Sequence, residues 1–141
     1  MNDHSGDIEA IKQLKARYFR TMDTKDWEAM RNVFSPDVHV DVTDDGAGTF
    51  DGVDTFLGML TPMLAGVVTV HHGHMPEITL ESETSATGVW AMEDHLWFPQ
   101  GSPLGHLHGY GHYHETYEKT DGQWRIKRLK LTRLRVDHAV A

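Results

Sequence analysis

The sequence predicts an α+β fold, and two patterns in the chain carry that prediction. Apolar residues recur at helical spacing in three segments that all end before residue 65. From residue 67 onward the chain alternates apolar and polar residues, which is the period of a β-strand. Helices followed by long antiparallel strands are typical of an α+β architecture, and a chain of 141 residues suits a single domain, residues 1–141.

Three helices are predicted from the apolar spacing and from residue types that begin or end helices. The first covers residues 7–22. The second begins after Asp26, a residue type that caps helix N-termini, and its apolar face extends to Phe34 before Pro36 ends it. The third covers residues 53–64.

One strand is predicted among the helices and five strands after them. The alternating valines of "DVHVDVT" predict a strand buried on one side, and "DDGAGTFDG" predicts the turn that follows. The segments "PQGSPLG" and "KTDGQ" are rich in Gly, Pro and Asp and predict hairpin turns. The later strands are predicted at residues 67–75, 76–82, 86–98, 106–119 and 123–136.

Composition excludes several functional classes. The net charge of -8 disfavours nucleic acid as a partner, because phosphate binding requires clustered Lys and Arg. The N-terminal stretch is polar and acidic, unlike a signal peptide, and no apolar run approaches the roughly 18 residues of a membrane span. The absence of cysteine excludes disulfides, thiolate metal sites and a Cys nucleophile, and it fits a reducing compartment. We therefore expect a cytoplasmic protein without a membrane partner.

Histidine is the unusual residue of this chain, with 11 copies. Three of them lie in "VVTVHHGHMPEITL". In a regular strand His71 and His72 point to opposite faces, and His74 shares the face of His72. An inward histidine beside a carboxylate is a candidate general base, because the carboxylate orients the ring and stabilises the imidazolium.

Other polar residues are candidates only if they face the interior. Tyr18 lies on the apolar face of the first helix, and Asp23 follows the end of that helix. Asp94 shares one strand face with Trp90 and Met92, but both faces of this strand carry apolar residues, so polarity does not decide which is inward. An inward Asp94 requires a raised pKa or a partner.

Two His-x-His pairs and two arginines complete the candidates. The pairs place two imidazoles on one strand face, which can seat a metal, but solvated histidines are the favoured interpretation and no metal is predicted. Arg133 and Arg135 share one face of the last strand, where an inward arginine can neutralise an anionic substrate or a developing oxyanion. The pairs are His106 with His108 and His112 with His114.

Five segments together resemble the SnoaL-like branch of the nuclear-transport-factor-two-like superfamily, over about Asp7 to Asp137. The segments are "ARYFRTMDTKDWEAMRNVFSPDV", "TVHHGHMPEI", "GVWAMEDHL", "GYGHYHETY" and "GQWRIKRLKLTRLRV". The resemblance implies a cone-shaped α+β barrel, in which three N-terminal helices pack on a curved, mostly antiparallel sheet around a pocket. The family includes dehydratases, a dehydrochlorinase, ketosteroid isomerase and polyketide cyclases, most of them without a metal or organic cofactor.

The resemblance also implies site residues. His71 and Asp23 match the catalytic dyad of the eliminating members. Tyr18 and Asp94 match a helix tyrosine and a second aspartate of the bile-acid dehydratase. Arg133 matches an arginine of the last strand, with Arg135 as its competitor. Trp90, Met92 and His112 are expected to contact the substrate.

The implied function is that of a cofactor-independent lyase or isomerase acting on a small, mostly apolar, ring-containing molecule. The alternative is a module of the same fold that binds a hydrophobic ligand, or dimerises, without turnover. By resemblance, a homo-oligomer, dimer or trimer, is expected. The implied mechanism gives no role to the remaining histidines of the strands, His72, His74, His106, His108 and His114.

Overall fold

The computed structural model describes residues 4–140, and within that range three helices pack on a six-stranded sheet. The helices are α1 (Ser5–Asp23), α2 (Trp27–Arg31) and α3 (Val53–Met63). A turn of 3-10 helix covers Thr43–Asp45. The strands are β1 (Phe34–Val42), β2 (Gly48–Asp51), β3 (Val68–Leu80), β4 (Ser85–Trp97), β5 (Leu104–Thr120) and β6 (Gln123–Val140).

The sheet is mixed but mostly antiparallel. Its strand order is β2-β1-β6-β5-β4-β3, and β1 with β6 is the parallel pair among the described residues. The predicted α+β class, with helices on a curved and mostly antiparallel sheet, is confirmed. No helix within residues 4–140 has the length and hydrophobicity to cross a bilayer.

Helix α1 has the amphipathic spacing that attaches a helix to a sheet. Ile11, Leu14, Tyr18 and Met22 recur every three or four residues, and all four are buried. The helix packs mainly against β3. It ends at Asp23, and Lys25 follows in the left-handed region with φ 61°. The end of α1 lies beside the N-terminal part of β3, from which Asp23 accepts hydrogen bonds.

The second helix is shorter than predicted. It ends at Arg31, and Phe34 already begins β1. Pro36 lies inside that strand rather than at a helix end. The pairing of β1 with β6 shifts register between Phe34 and His39, so the missing N–H of the proline falls in an irregular stretch. The apolar Phe34 that suggested a helix face is a buried strand residue.

Two other local predictions are corrected. The segments predicted as separate strands at 67–75 and 76–82 form one strand, β3, with an irregularity between His74 and Glu77. Met75 takes φ 34° there, as expected where a bulge interrupts the pairing. The predicted turn after β1 also contains the short strand β2.

The central strands have one face toward the helices, the inner face, and an opposite outer face. On β4 the buried residues are even-numbered, and on β5 they are odd-numbered from Gly109 to Tyr117. This alternation follows from the two-residue period of a strand. It decides which side chains reach the space below the helices.

Candidate active site

A cavity of about 220 Å³ lies between the helices and the inner face of the sheet. Most of its wall is apolar and comes from Met, Leu and Phe side chains. A small number of polar groups converge on it, as is typical of a ligand site. The polar lining residues are Tyr18, Asp45, His71, Asp94, Tyr113 and Arg133.

His71 and Asp23 form a closely bonded pair beside this cavity. The Nδ1 atom of His71 lies 2.7 Å from Oδ1 of Asp23. The backbone N–H of His71 donates to Oδ2 of Asp23 at 2.8 Å, and the hydroxyl of Thr69 donates to Oδ1 at 2.8 Å. These contacts fix the carboxylate, which in turn fixes the plane of the imidazole.

The contacts of His71 also determine which of its ring nitrogens can accept a proton. A neutral imidazole that donates from Nδ1 to Asp23 carries its lone pair on Nε2. Nε2 lies 3.7 Å from Oδ2 of Asp94, in the wall of the cavity. The side chain is 8% exposed, and Phe19 stacks at 6.3 Å between ring centroids. His71 is therefore held with a proton-accepting atom toward the cavity.

Asp94 is bound by an arginine. Arg133 donates from Nη1 to Oδ1 of Asp94 at 2.7 Å and from Nη2 to Oδ2 at 3.0 Å. Its Nε donates to Asp45, on the 3-10 turn, at 2.8 Å. Burial lowers the pKa of Arg133, but the hydrogen bonds to Asp94 and Asp45 outweigh burial and raise the pKa above its ordinary value. Asp94 is thus a paired carboxylate inside the cavity wall.

Gly109 makes space for this ion pair. It lies opposite Asp94 on the neighbouring strand β5. A Cβ atom at position 109 would collide with the guanidinium of Arg133 and with the carboxylate of Asp94. A glycine inside a strand is typical of such a close approach.

Two tyrosines line the cavity side by side. The rings of Tyr18 and Tyr113 pack edge to face, with 5.6 Å between their centroids. Burial raises the pKa of both phenols well above the ordinary value. Both therefore stay neutral at physiological pH and can act as hydrogen-bond donors.

A buried ion pair lies against these tyrosines. Lys15 and Glu115 have fully buried side chains, with 2.7 Å between Nζ and Oε2. Nζ of Lys15 lies 3.6 Å from the ring centroid of Tyr18 and 3.5 Å from that of Tyr113, which are cation–π distances. Burial lowers the pKa of Lys15 to about 8, and the charge of Glu115 opposes that change. The pair fixes the two tyrosine rings.

Five predicted site residues meet at one place. Tyr18, His71, Asp94 and Arg133 line the cavity, and Asp23 holds His71. Arg135 does not meet them, because its side chain is 72% exposed and it pairs with Asp137. Arg133 is therefore the inward arginine of β6.

Three predicted substrate contacts do not line the cavity. Trp90 is on the inner face, but its Nε1 donates to the hydroxyl of Tyr117 at 2.9 Å, away from the cavity. Met92 is buried beneath Arg133, whose Nη1 lies 3.5 Å from its sulfur. His112 lies on the outer face, since Gly111 and Tyr113 beside it are inward. We correct their assignment as substrate contacts.

Tyr113 and Asp45 were missed by sequence reasoning. A signal for Tyr113 exists, since it shares the face of Tyr117 and of the inward glycines of "GYGHYHETY". Asp45 has no sequence signal, because it reaches Arg133 from a turn 88 residues earlier in the chain.

A protein-family comparison extends over most of the chain. The sequence model of the SnoaL-like domain matches residues 3–130. A protein of Gibberella zeae, provisionally named a cyclase, is 23% identical over 133 residues. That match covers 88% of this chain and 89% of the relative.

Solved structures share the fold at low sequence identity. A protein of Novosphingobium aromaticivorans, provisionally named a scytalone dehydratase, superposes with a TM-score of 0.84 at 24% identity, over 94% of this chain and 87% of that one. A type 3 hexachlorocyclohexane dehydrochlorinase of Novosphingobium barchaimii superposes with a TM-score of 0.82 at 17% identity, over 95% and 90% of the two chains. Because the SnoaL-like domain model matches residues 3–130, the chain belongs to the SnoaL-like domain family.

Proposed function

We propose that this protein is a lyase- or isomerase-type enzyme in which His71 removes a proton from a substrate carbon. The observation that carries the proposal is the orientation of His71, with Nδ1 bonded to Asp23 and Nε2 at the cavity. A base held in a fixed orientation beside a substrate-sized cavity is suited to general base catalysis, which depends first on geometry. The names of the related cyclase, dehydratase and dehydrochlorinase support chemistry of this class.

The proposed step breaks a C–H bond next to an activating group. The proton moves to Nε2 of His71, and the electron pair stays on the substrate as an enolate. In an elimination, this pair forms a C=C bond while the leaving group departs with its own electrons. The imidazolium then lies between the carboxylates of Asp23 and Asp94, both within 4 Å of its nitrogens. Opposite charges at this distance stabilise the charged intermediate.

Neutral tyrosines are suited to stabilise the negative charge that develops on the substrate after the proton is removed. The hydroxyl groups of Tyr18 and Tyr113, which both line the cavity, can donate hydrogen bonds to the developing oxyanion or to a leaving hydroxyl. Asp94 is not suited to donate a proton, since both its oxygens accept from Arg133. We assign Arg133 the role of positioning Asp94.

The cavity limits the substrate class. An apolar cavity of about 150 Å³ accommodates a benzene ring, and this cavity is about 220 Å³. A compound with one or two rings and an activating carbonyl matches that volume. The apolar lining favours an uncharged ring system, with its oxygen placed toward the tyrosines.

The test uses one- and two-ring ketones that carry a hydroxyl or chloride β to the carbonyl. Wild-type protein is incubated with each compound in D₂O, and ¹H NMR follows elimination and exchange of the acidic C–H. We expect turnover that falls by about 10²–10⁴-fold in His71→Ala. His72→Ala is the matched control, because its side chain is on the exposed outer face.

Full activity of His71→Ala on a compound turned over by the wild type would contradict the proposal. An equal loss in His72→Ala would also contradict it. A compound that shifts the NMR signals of Tyr113 but undergoes neither exchange nor elimination would support the alternative, a ligand-binding module without turnover.

A further inference from the structure

The outer face of the sheet gathers three metal-ligating side chains away from the cavity. His95 on β4 lies directly opposite His108 on β5. Glu93 is two residues before His95 and so shares its face. One nitrogen or oxygen atom of each of the three side chains lies within 4.8 Å of the others. No other trio within residues 4–140 meets that criterion.

These side chains are held in close contact. Nε2 of His108 lies 3.0 Å from Oε2 of Glu93. The rings of His95 and His108 are stacked, with centroids 3.7 Å apart and planes at 25°. The three residues are partly buried and lie on strands paired on both sides. A metal would therefore meet ligands that have already lost much of their rotamer freedom.

The ligand types match a borderline metal ion. Two imidazoles and one carboxylate are a known donor set for Zn²⁺. Two further imidazoles contact members of the trio. Nε2 of His106 lies 2.9 Å from Nδ1 of His95, and Nε2 of His74 lies 3.5 Å from Oε1 of Glu93.

We propose that Glu93, His95 and His108 bind one divalent transition-metal ion of the Zn²⁺ class on the outer face. The site is independent of the proposed catalytic function, because none of its residues lines the cavity. The proposed site gives a role to His95 and His108, which take no part in the proposed reaction. It depends on a carboxylate beside a cross-strand histidine pair, and not only on the large number of histidines in the chain.

The test is a calorimetric titration with ZnCl₂ of full-length protein, free of any affinity tag and stripped with EDTA. We expect one Zn²⁺ per chain. Glu93→Gln and His108→Ala should each weaken binding at least about 10-fold, the lower end of losses seen even for outer-shell changes. Zinc should raise the Tm of the wild type and leave that of Glu93→Gln nearly unchanged.

Two control variants make the result specific. His114→Ala removes an imidazole from the same face of the same strand, where it bonds Thr132 rather than the trio. His71→Ala removes the cavity histidine. Both should bind Zn²⁺ as the wild type does.

Four outcomes would overturn the proposal. They are no stoichiometric binding to the wild type, wild-type affinity in Glu93→Gln, a loss in His114→Ala equal to that in His108→Ala, and a loss in His71→Ala. Because Glu93→Gln keeps the size of the side chain, its result is decisive even if His108→Ala fails to fold.

Discussion

The inner and outer faces of strands β3 to β5 both carry histidines, but the inner face is covered by the helices and the outer face is open to water. On the inner face, within residues 4–140, His71 is the one histidine lining the cavity, and it is almost buried. On the outer face the imidazoles are partly or fully exposed and contact one another. Alternation along a strand therefore separates a single oriented imidazole from a group of surface histidines. The strand face on which a histidine lies, and not the number of histidines, indicates the environment of its ring.

The two faces differ equally in how they hold charge. Inner charges are paired within the protein, as in Lys15 with Glu115 and Arg133 with Asp94. Outer charges remain close to water, which screens them. Substitutions should therefore have large effects on the inner face and small effects on the outer face.

The largest effect is expected at Asp23. In Asp23→Asn the amide no longer fixes the Nδ1–H tautomer of His71 or stabilises its imidazolium. We expect kcat to fall by about 10²–10⁴-fold with little change in KM, since the loss falls on the transition state. Steady-state kinetics measures this. Asp26→Asn is the control, because Asp26 caps α2 and asparagine caps equally well. Equal rates for Asp23→Asn and the wild type would remove the dyad from the mechanism.

Breaking the buried ion pair should give the largest loss of stability. Lys15→Met leaves Glu115 charged and fully buried, so we expect the free energy of unfolding to fall by about 3–5 kcal/mol. Urea denaturation measures it. Lys127→Met is the matched control, because Lys127 pairs with the exposed Asp37 and such pairs contribute about 0–1 kcal/mol. Similar losses in the two variants would contradict the difference between the faces.

The same pair should make stability depend on pH. Burial lowers the pKa of Lys15 from its ordinary 10.5 to about 8, so the folded state binds this proton less tightly than the unfolded chain does. The contribution of Lys15 to stability therefore rises with pH between about 8 and 10.5. Denaturation of the wild type and Lys15→Met across this range should show the rise only in the wild type. Parallel pH dependence of the free energy of unfolding in the two proteins would contradict the lowered pKa of Lys15.

An intermediate effect is expected at Gly109. In Gly109→Ala the new methyl group displaces the Arg133–Asp94 pair, which should lower stability by about 1–3 kcal/mol and reduce turnover. Gly58→Ala is the control on α3, where a Cβ meets nothing within 4 Å. That change should raise stability by about 0.5–1 kcal/mol, because alanine is the better helix former. Thermal unfolding compares the two, and a stable, active Gly109→Ala would refute the close packing.

The smallest effect is expected on the outer face. His114 contacts Thr132 and is exposed. His114→Ala should change the free energy of unfolding by at most about 0.5 kcal/mol and leave turnover unchanged. Denaturation and kinetics under the same conditions check both. A loss of turnover here would show that the outer face takes part in the reaction.

Much of this division was predictable from the sequence. Strand alternation alone separated His71 from His72, and the structure places His71 at the cavity with Asp23 beside it. The face of Asp94 was not predictable, because Trp90 and Met92 on one side and Val89 and Trp97 on the other are equally apolar. Only the helices packed on one side of the sheet decide it.

Other features depend on contacts that local patterns do not encode. The partnership of Arg133 with Asp45 joins a turn to a strand 88 residues later. The strand at Phe34 was mistaken for a helix face because a buried aromatic residue fits both periods. His112 was assigned to the pocket although the inward Tyr113 beside it requires the opposite face.

The most direct test of the central claim is the tautomer of the His71 ring in solution. Long-range ¹H–¹⁵N NMR on uniformly ¹⁵N-labelled protein at neutral pH reports which ring nitrogen of each histidine carries the proton. The structure predicts a proton on Nδ1 of His71 and a bare Nε2, a preference that is lost in Asp23→Asn. A proton on Nε2, or a mixture of tautomers unchanged by Asp23→Asn, would contradict the assignment of His71 as the oriented base.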